Sequence, residues 1–216
     1  MPRLKSSYRL MTENNPKSPE AEAYKKLRTY IDFADPIEDI RTIMIASAKK
    51  GEGKSMTSAN LAVAYALAGK KALLIDADLR EPTQHIIFHA PENAGLTTLL
   101  RLKHKFDDAV QPTSIMNLDL LPAGPVPSSS SEWLASAQME SVLAEAKERY
   151  DVVIVDTPSV LEATDASIVA ALCDGVLLVI NQGRTRKETV LQAKADLSKV
   201  KARFLGVVMN DARTRA

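Results

Sequence analysis

Residues 46–55 read ASAKKGEGKS, with Gly51 and Gly53 set among Lys49, Lys50 and Lys54. The stretch follows the apolar run TIMI (42–45) and precedes MTSANLAVAYALAG (56–69). A buried strand, a glycine-bearing turn and a helix start together make a cradle for phosphate. Backbone N–H groups and the positive end of the helix point at the anion, and Lys54 reaches the outer phosphates. Ser55 offers a hydroxyl to Mg²⁺. The usual pattern, G-x-x-x-x-G-K-[ST], opens on glycine, whereas Ala48 stands at that position here. The candidate nucleotide-binding residues are Ala48, Lys49, Lys50, Gly51, Glu52, Gly53, Lys54, Ser55 and Met56, and the implied ligands are ATP and Mg²⁺. Lys49 stands five residues before Lys54. In one branch of P-loop proteins a lysine there reaches phosphates, often across a dimer interface; the other reading of Lys49 and Lys50 is a pair of solvated loop charges.

Working outward, short apolar runs alternate with helical segments after Pro36. TIMIAS, KALLIDAD, LDLLPAG, DVVIVDTP, GVLLVINQG and RFLGVVMN read as strands, and 54–69, 94–102, 131–149, 164–172 and 186–200 as helices. Several strands are apolar without alternation, as expected when helices cover both faces of a sheet. The expectation is an α/β, three-layer P-loop fold with a mainly parallel central sheet. Ligands then gather at the carboxyl ends of the strands. Residues 1–17 read as a flexible, basic, proline-bearing arm, and 18–216 as one domain that opens on a helix over 18–33. Ser18 is its expected cap, Pro19 its first position, and Tyr24, Leu27 and Ile31 its apolar stripe. AGPVPSSSSE (123–132) reads as a surface loop with a serine cap. Glu81 to Asn93 reads as a mobile or partner-facing insert.

Three carboxylates complete the strand ends. LLIDADLR places Asp76 and Asp78 at i,i+2, on one side of an extended segment. They suit Mg²⁺ binding, or acceptance of a proton from an attacking hydroxyl; capping of the next turn is the plainer alternative. VVIVDTP delivers Asp156 from a buried strand, the arrangement that carries a carboxylate to the metal. The candidate metal set is Ser55, Asp76, Asp78 and Asp156, and the candidate catalytic set Lys54, Asp76 and Asp78. Arg80 suits a phosphate, a partner carboxylate or a surface ion pair. Asp165 suits a helix cap, an interface or a metal. Asn210, after the last strand, suits either an adenine edge or a turn. His85, His89 and His104 form no persuasive ligand set, and HIIFH lacks the glutamate of a zinc-protease helix. Trp133 reads as packing, as do Tyr65 and Tyr150.

Bulk properties narrow the classes. The 216 residues carry 28 basic and 27 acidic side chains, a net charge of +1, which gives no general attraction to nucleic acid. Arg213 and Arg215 alone are too few for a DNA-binding tail. No apolar run is long enough to span a membrane. Cys173 is the single cysteine, which together with the lack of a secretory leader favours the cytoplasm. In SIVAALC it reads as a buried small residue.

KKGEGKS, LLIDADLR and VVIVDTP, in this order, resemble the bacterial tyrosine kinase family, within the wider MinD/ParA-type P-loop ATPases. EAYKKLRTYIDF, DADLREP, PAGPVPSSSSEWL, DTPSVLEATDASIVAALCDGVLLVINQGRTRKETV and LGVVMN extend the likeness over about residues 18 to 210. The resemblance implies a cytoplasmic autokinase of capsule and exopolysaccharide synthesis. It implies phosphate contacts from Lys54, Mg²⁺ contacts from Ser55 and Asp156, and a split of metal and base roles between Asp76 and Asp78. It gives Asn210 to adenine. The family's E-x-x-R-x-x-R helix, which contacts the neighbouring subunit of a ring, falls on Glu22, Lys25 and Arg28, with lysine in the middle place and so without its bidentate fork. The implied partners are further copies in a ring or dimer, a membrane-bound polysaccharide co-polymerase-type adaptor whose cytoplasmic tail activates the enzyme, and a tyrosine-containing substrate. The chain is then recruited to the inner face of the membrane by that adaptor. Family members end in a tyrosine cluster, whereas this sequence closes on MNDARTRA; Tyr8 in the arm is then the most reachable acceptor, and the alternatives are a truncated chain, a tyrosine of another protein, or an ATPase that no longer phosphorylates tyrosine. Two other classes fit the same motifs: a MinD/ParA-like ATPase switch without kinase activity, and a regulatory subunit that binds nucleotide without turnover.

Overall fold

A computed structural model describes residues 10–34, 40–102, 105–127 and 129–211. Tyr8, His104, Arg213 and Arg215 lie outside the described residues. The strands are β1 (Thr42–Ser47), β2 (Ala72–Asp76), β3 (Gln111–Pro112), β4 (Leu118–Leu121), β5 (Val152–Asp156), β6 (Gly175–Asn181) and β7 (Phe204–Asn210). They form one sheet in the order β3-β4-β2-β5-β1-β6-β7. Every neighbouring pair is parallel except β3 with β4. The short antiparallel β3 and an otherwise parallel sheet meet the expected fold class.

The helices are α1 (Met11–Asn14), α2 (Pro19–Asp32), α3 (Lys54–Ala66), α4 (Gln84–Ile87), α5 (Leu96–Leu100), α6 (Phe106–Ala109), α7 (Ser130–Leu134), α8 (Ala137–Arg149), α9 (Asp165–Leu172) and α10 (Lys187–Lys199). Successive strand residues point to opposite faces. Ile43, Ile45, Leu74 and Ile154 therefore pack on one face with α3, and Met44, Leu73, Val153 and Val155 on the other with α8 and α9. All eight are fully buried, which is why these strands lack polar alternation.

Local chemistry accounts for α2 as the sequence suggests. The Ser18 hydroxyl accepts the Ala21 N–H at 3.1 Å, Pro19 begins the helix, and Glu20 and Glu22 lie in its positive first turn. Ile31 is buried and Leu27 packs beside it. Four expectations change. Residues 11–14, placed in a flexible arm, form α1; Leu10 is buried, and Thr12 donates to Asn60 Oδ1 from both N–H and hydroxyl at 3.1 Å. The single helix over 131–149 is two helices, because Ser136 ends the first turn pattern and its hydroxyl bonds the Trp133 carbonyl at 2.6 Å. The 81–93 insert is anchored, with Gln84 and Ile87 buried. Cys173 is half-buried rather than enclosed, at the end of α9. Tyr65 and Tyr150 are buried, and the Tyr150 hydroxyl donates to Asp119 at 2.7 Å.

Candidate active site

The loop between β1 and α3 turns on its glycines. Gly51 and Gly53 have φ of +83° and +93°, a region that costs other residues strain. Glu52 points inward rather than to solvent. Its carboxylate accepts the Lys49 N–H at 2.9 Å and the Thr185 hydroxyl. These bonds close the loop on itself and tie it to the segment after β6. Asn210, at the end of β7, donates its amide to the Glu52 carbonyl at 3.2 Å. The parallel pairing of β6 and β7 thus sets Asn210 against the loop, a contact that neither the adenine nor the turn expectation included. Ala48 is buried and its carbonyl accepts from Leu161, so the missing glycine leaves the turn intact.

A side chain at Gly53 tests this geometry. A Cβ built there would lie 1.8 Å from Asn210 Nδ2, whereas one at Gly51 meets nothing within 4 Å. Both alanines carry the cost of positive φ, about 1–2 kcal/mol, but only Gly53→Ala also displaces the Asn210 amide. Gly53→Ala is expected to weaken ADP binding by at least about tenfold, equal to ~1.4 kcal/mol, and distinctly more than Gly51→Ala does. Isothermal titration calorimetry of the two variants side by side checks this, and equal affinities would contradict it.

Three parallel strands bring the charged groups together. Lys54 opens α3, and its ammonium lies 2.8 Å from Asp78 Oδ2 and 3.3 Å from Ser55 Oγ. Burial would pull its proton off, but Asp156 and Asp78 together hold it above the usual lysine range. Asp76 and Asp156 are register partners across β2 and β5 and are both fully buried. Burial, and then the neighbouring Asp156, push Asp76 up to about 8, against the pull of the Gln84 backbone N–H. Burial likewise pushes Asp156 upward, opposed by Lys54 and by hydrogen bonds from Gln84 and Ser55. Asp76 Oδ2 accepts the N–H groups of Thr83 and Gln84 at 3.0 and 2.9 Å. Asp78 Oδ1 instead accepts from Glu81 N at 3.1 Å. The i,i+2 acids therefore meet different surroundings: Asp76 is enclosed, and Asp78 faces a cleft of about 400 Å³ shared with Lys50, Gly51, Gly53, Lys54, Ser55, Met56 and Arg80.

The sequence reading missed Gln84. Its side-chain amide donates to Asp156 Oδ2 at 2.7 Å and to the Ser55 carbonyl at 3.0 Å. Nothing in QHII marks it, because its partners lie 72 and 29 positions away. Arg80 resolves to the ion-pair reading, within its own chain and with its side chain half-exposed. Its guanidinium grips Asp165 in a fork at 3.0 Å through both Nε and Nη2. Asp165 also accepts the Ser130 and Ser131 hydroxyls at 2.6 and 2.7 Å. Burial would raise this carboxyl, but these donors hold it below its ordinary value. The serine-rich loop is thereby fastened to the edge of the cleft. Lys50 pairs with Glu81, and a second cleft of about 650 Å³, lined by Lys49, Glu52, Asn181, Arg184 and Arg186, opens on the other side of the loop. His85 pairs with Glu92 at 3.1 Å.

The donor set fits a nucleotide with Mg²⁺. Positive-φ glycines, a helix amino end and a buried protonated lysine suit polyphosphate. Among the described residues no group of three or more His, Cys, Asp and Glu forms an all-protein metal cage. Asp76, Asp78 and Asp156, expected together as metal ligands, are thus not gathered as three direct ligands; a Mg²⁺ that keeps its waters and binds phosphate would be held by Ser55 and Asp156. Two buried oxygens beside them, Gln84 Oε1 and Thr83 Oγ1, have no partner among the described residues.

Fold and site together define a P-loop nucleotide-binding protein. A family model described as an AAA domain matches residues 40–205. The tyrosine-protein kinase YwqD of Bacillus subtilis is 45% identical over 208 residues, spanning 96% of this chain and 87% of that protein. The kinase domain of the Escherichia coli tyrosine kinase ETK superposes with a TM-score of 0.92 at 31% identity, covering 96% of this chain and 82% of that one. The septum site-determining protein MinD of Pyrococcus horikoshii, complexed with Mg-ADP, gives 0.70 at 27% identity, covering 82% and 72%. The chain belongs to the bacterial tyrosine kinase family of P-loop enzymes, within the wider MinD/ParA-like ATPases.

Proposed function

We propose that the protein transfers the γ-phosphate of Mg²⁺-bound ATP to tyrosine, in a neighbouring copy or a partner protein, in the control of capsular or exopolysaccharide synthesis and export. The observation that carries the reading is the meeting of Lys54, Asp76, Asp78 and Asp156 at the ends of three adjacent strands, on a P-loop shared with tyrosine kinases. In this reading the loop amides and Lys54 hold the phosphates and bear the charge spread over the transferred group. Asp78 fixes the Lys54 ammonium and faces the cleft. Asp76, the more basic carboxyl, or Asp78, which lines the cleft, takes the proton of the tyrosine hydroxyl. The metal supplies further charge neutralisation at the phosphate oxygens when bound.

Assembly follows the same reading. Glu22, Lys25 and Arg28 lie on α2 as the contact for a neighbouring subunit. Within one chain Lys25 bonds Glu22 and the Pro16 carbonyl at 2.7 Å, and Arg28 the Ala64 carbonyl at 3.0 Å. These contacts pre-set the helix surface rather than consume every donor. No helix among the described residues is long and apolar enough to cross a membrane; recruitment to the membrane's inner face is the adaptor's part in this proposal. Candidate acceptors within the given sequence are Tyr8 and Tyr30, the latter on α2 and 71% exposed, and a tyrosine of the adaptor is a further candidate.

Phosphosite mass spectrometry after incubation with Mg·ATP tests the reading, with and without a tyrosine-rich peptide. Phosphotyrosine on the protein or the peptide is the expected result. ADP release with no phosphotyrosine in either arm would sink the kinase reading in favour of a MinD-like switch. Tight ATP binding with neither product would leave a regulatory subunit.

A further inference from the structure

Gln84 is fully buried although it is polar and lies in a four-residue helix. Its side chain is oriented without ambiguity. Nε2 meets two acceptors, Asp156 Oδ2 and the Ser55 carbonyl, so the amide nitrogen must face them. Its backbone N–H holds Asp76 Oδ2. One residue thus touches the start of α3 and both buried strand-end carboxylates. Its remaining atom, Oε1, finds no donor among the described residues.

A buried acceptor without a donor is costly, about 1–3 kcal/mol, and native structures rarely keep one unless water, an ion or a function meets it. The partners of the Gln84 side-chain amide and backbone N–H, namely Asp156 Oδ2, the Ser55 carbonyl and Asp76 Oδ2, are all acceptors. Oε1 shares its carbon with the nitrogen that grips Asp156, so it lies one amide group away from that carboxylate. A bound Mg²⁺ keeps several of its waters, and those waters are donors only. The unpartnered oxygen and the expected metal therefore have complementary chemistry.

We propose that Gln84 is a positioning residue of the Mg²⁺ site, clamping Asp156 through Nε2 and accepting a hydrogen from a metal-bound water through Oε1. The inference rests on the Mg·nucleotide reading above. Gln84 does not touch the reacting atoms; it acts through Asp156 and the water. Partners of this outer kind change metal affinity by about 10–100-fold when removed. Asp76, at the end of β2, keeps its bonds from the Thr83 and Gln84 backbone when the side chain is changed, so a loss confined to the metal is the distinguishing signature.

The test measures ADP binding by calorimetry in EDTA and in graded Mg²⁺, for the wild type and Gln84→Met, a substitution of similar length without donor or acceptor. ADP affinity in EDTA is expected to stay within about twofold, while the Mg²⁺ concentration for half-maximal enhancement rises by about tenfold or more. Mn²⁺ electron paramagnetic resonance of the ADP complex gives the metal affinity directly. Gln84→Asn keeps an amide should the methionine variant not fold. One carbon shorter, it cannot hold both partners, and a smaller loss, again specific to the metal, is expected. Unchanged metal affinity, or an equal loss of ADP binding in EDTA and in Mg²⁺, would overturn the proposal while leaving the nucleotide reading intact. A wild-type protein that binds no ADP in either condition would overturn both.

Discussion

Lys54→Met is expected to lower phosphate transfer to tyrosine by at least about a thousandfold, the upper range for loss of one preorganised charge-stabilising donor. The lysine is placed by two features at once. It is the first residue of α3, so its backbone belongs to the phosphate cradle, and its side chain is 13% exposed and ion-paired to Asp78. The ammonium remains charged in the buried setting because Asp156 and Asp78 hold its proton. In a site screened from water a fixed charge acts more strongly on developing phosphoryl charge than it would in solution. Methionine keeps the length and apolar stem but supplies no cation. The fold is expected to survive, since burial already pushes Asp76 and Asp156 toward their neutral forms. Thermal unfolding checks that point. Single-turnover transfer of labelled phosphate checks the chemistry, and transfer at the wild-type rate would remove Lys54 from the mechanism.

The sequence was legible where local pattern and tertiary position coincide. Buried parallel strands must be apolar on both faces, so VVIVD and ALLID announce themselves, and each ends on its carboxylate. Lys54 and Ser55 are readable because the P-loop is one contiguous turn. Gln84, α1 and the Arg80–Asp165 fork were not readable, for a single physical reason. Each gains its place from a partner far along the chain: Asp156 for Gln84, Asn60 for Thr12, Asp165 for Arg80 at 85 residues' distance. Their own segments are too short to show a period. The division between Asp76 and Asp78 was equally hidden, since i,i+2 spacing places both on one side. Their difference comes from β5 and α4, which enclose Asp76 and leave Asp78 at the cleft.

That difference makes Asp76→Asn the second large prediction: transfer to tyrosine is expected to fall by about 10²–10⁴-fold, the usual worth of a general base, while ADP still binds. Asparagine imitates the neutral carboxyl, and its one oxygen can keep the bonds from Thr83 and Gln84. In the wild type the native carboxyl, at about 8, holds a proton that the unfolded chain releases near 3.8. Its favourable contribution to stability is therefore fully present below about 4 and is lost as pH rises through about 8. In protein without Mg²⁺, the wild type is expected to lose stability relative to Asp76→Asn between those limits, with the gap opening toward alkaline pH. The same proton sets activity in the opposite sense. Only the ionised carboxylate can accept from the tyrosine hydroxyl, so kcat/KM should climb toward a plateau above about 8, because this ratio reports the free enzyme. Denaturant melts and steady-state kinetics over pH 5 to 10 read the two curves in separate experiments. A stability gap without the alkaline rise in kcat/KM would make Asp76 a buried structural acid and pass the role of base to Asp78. An alkaline rise that persists in Asp76→Asn would show that it does not come from Asp76.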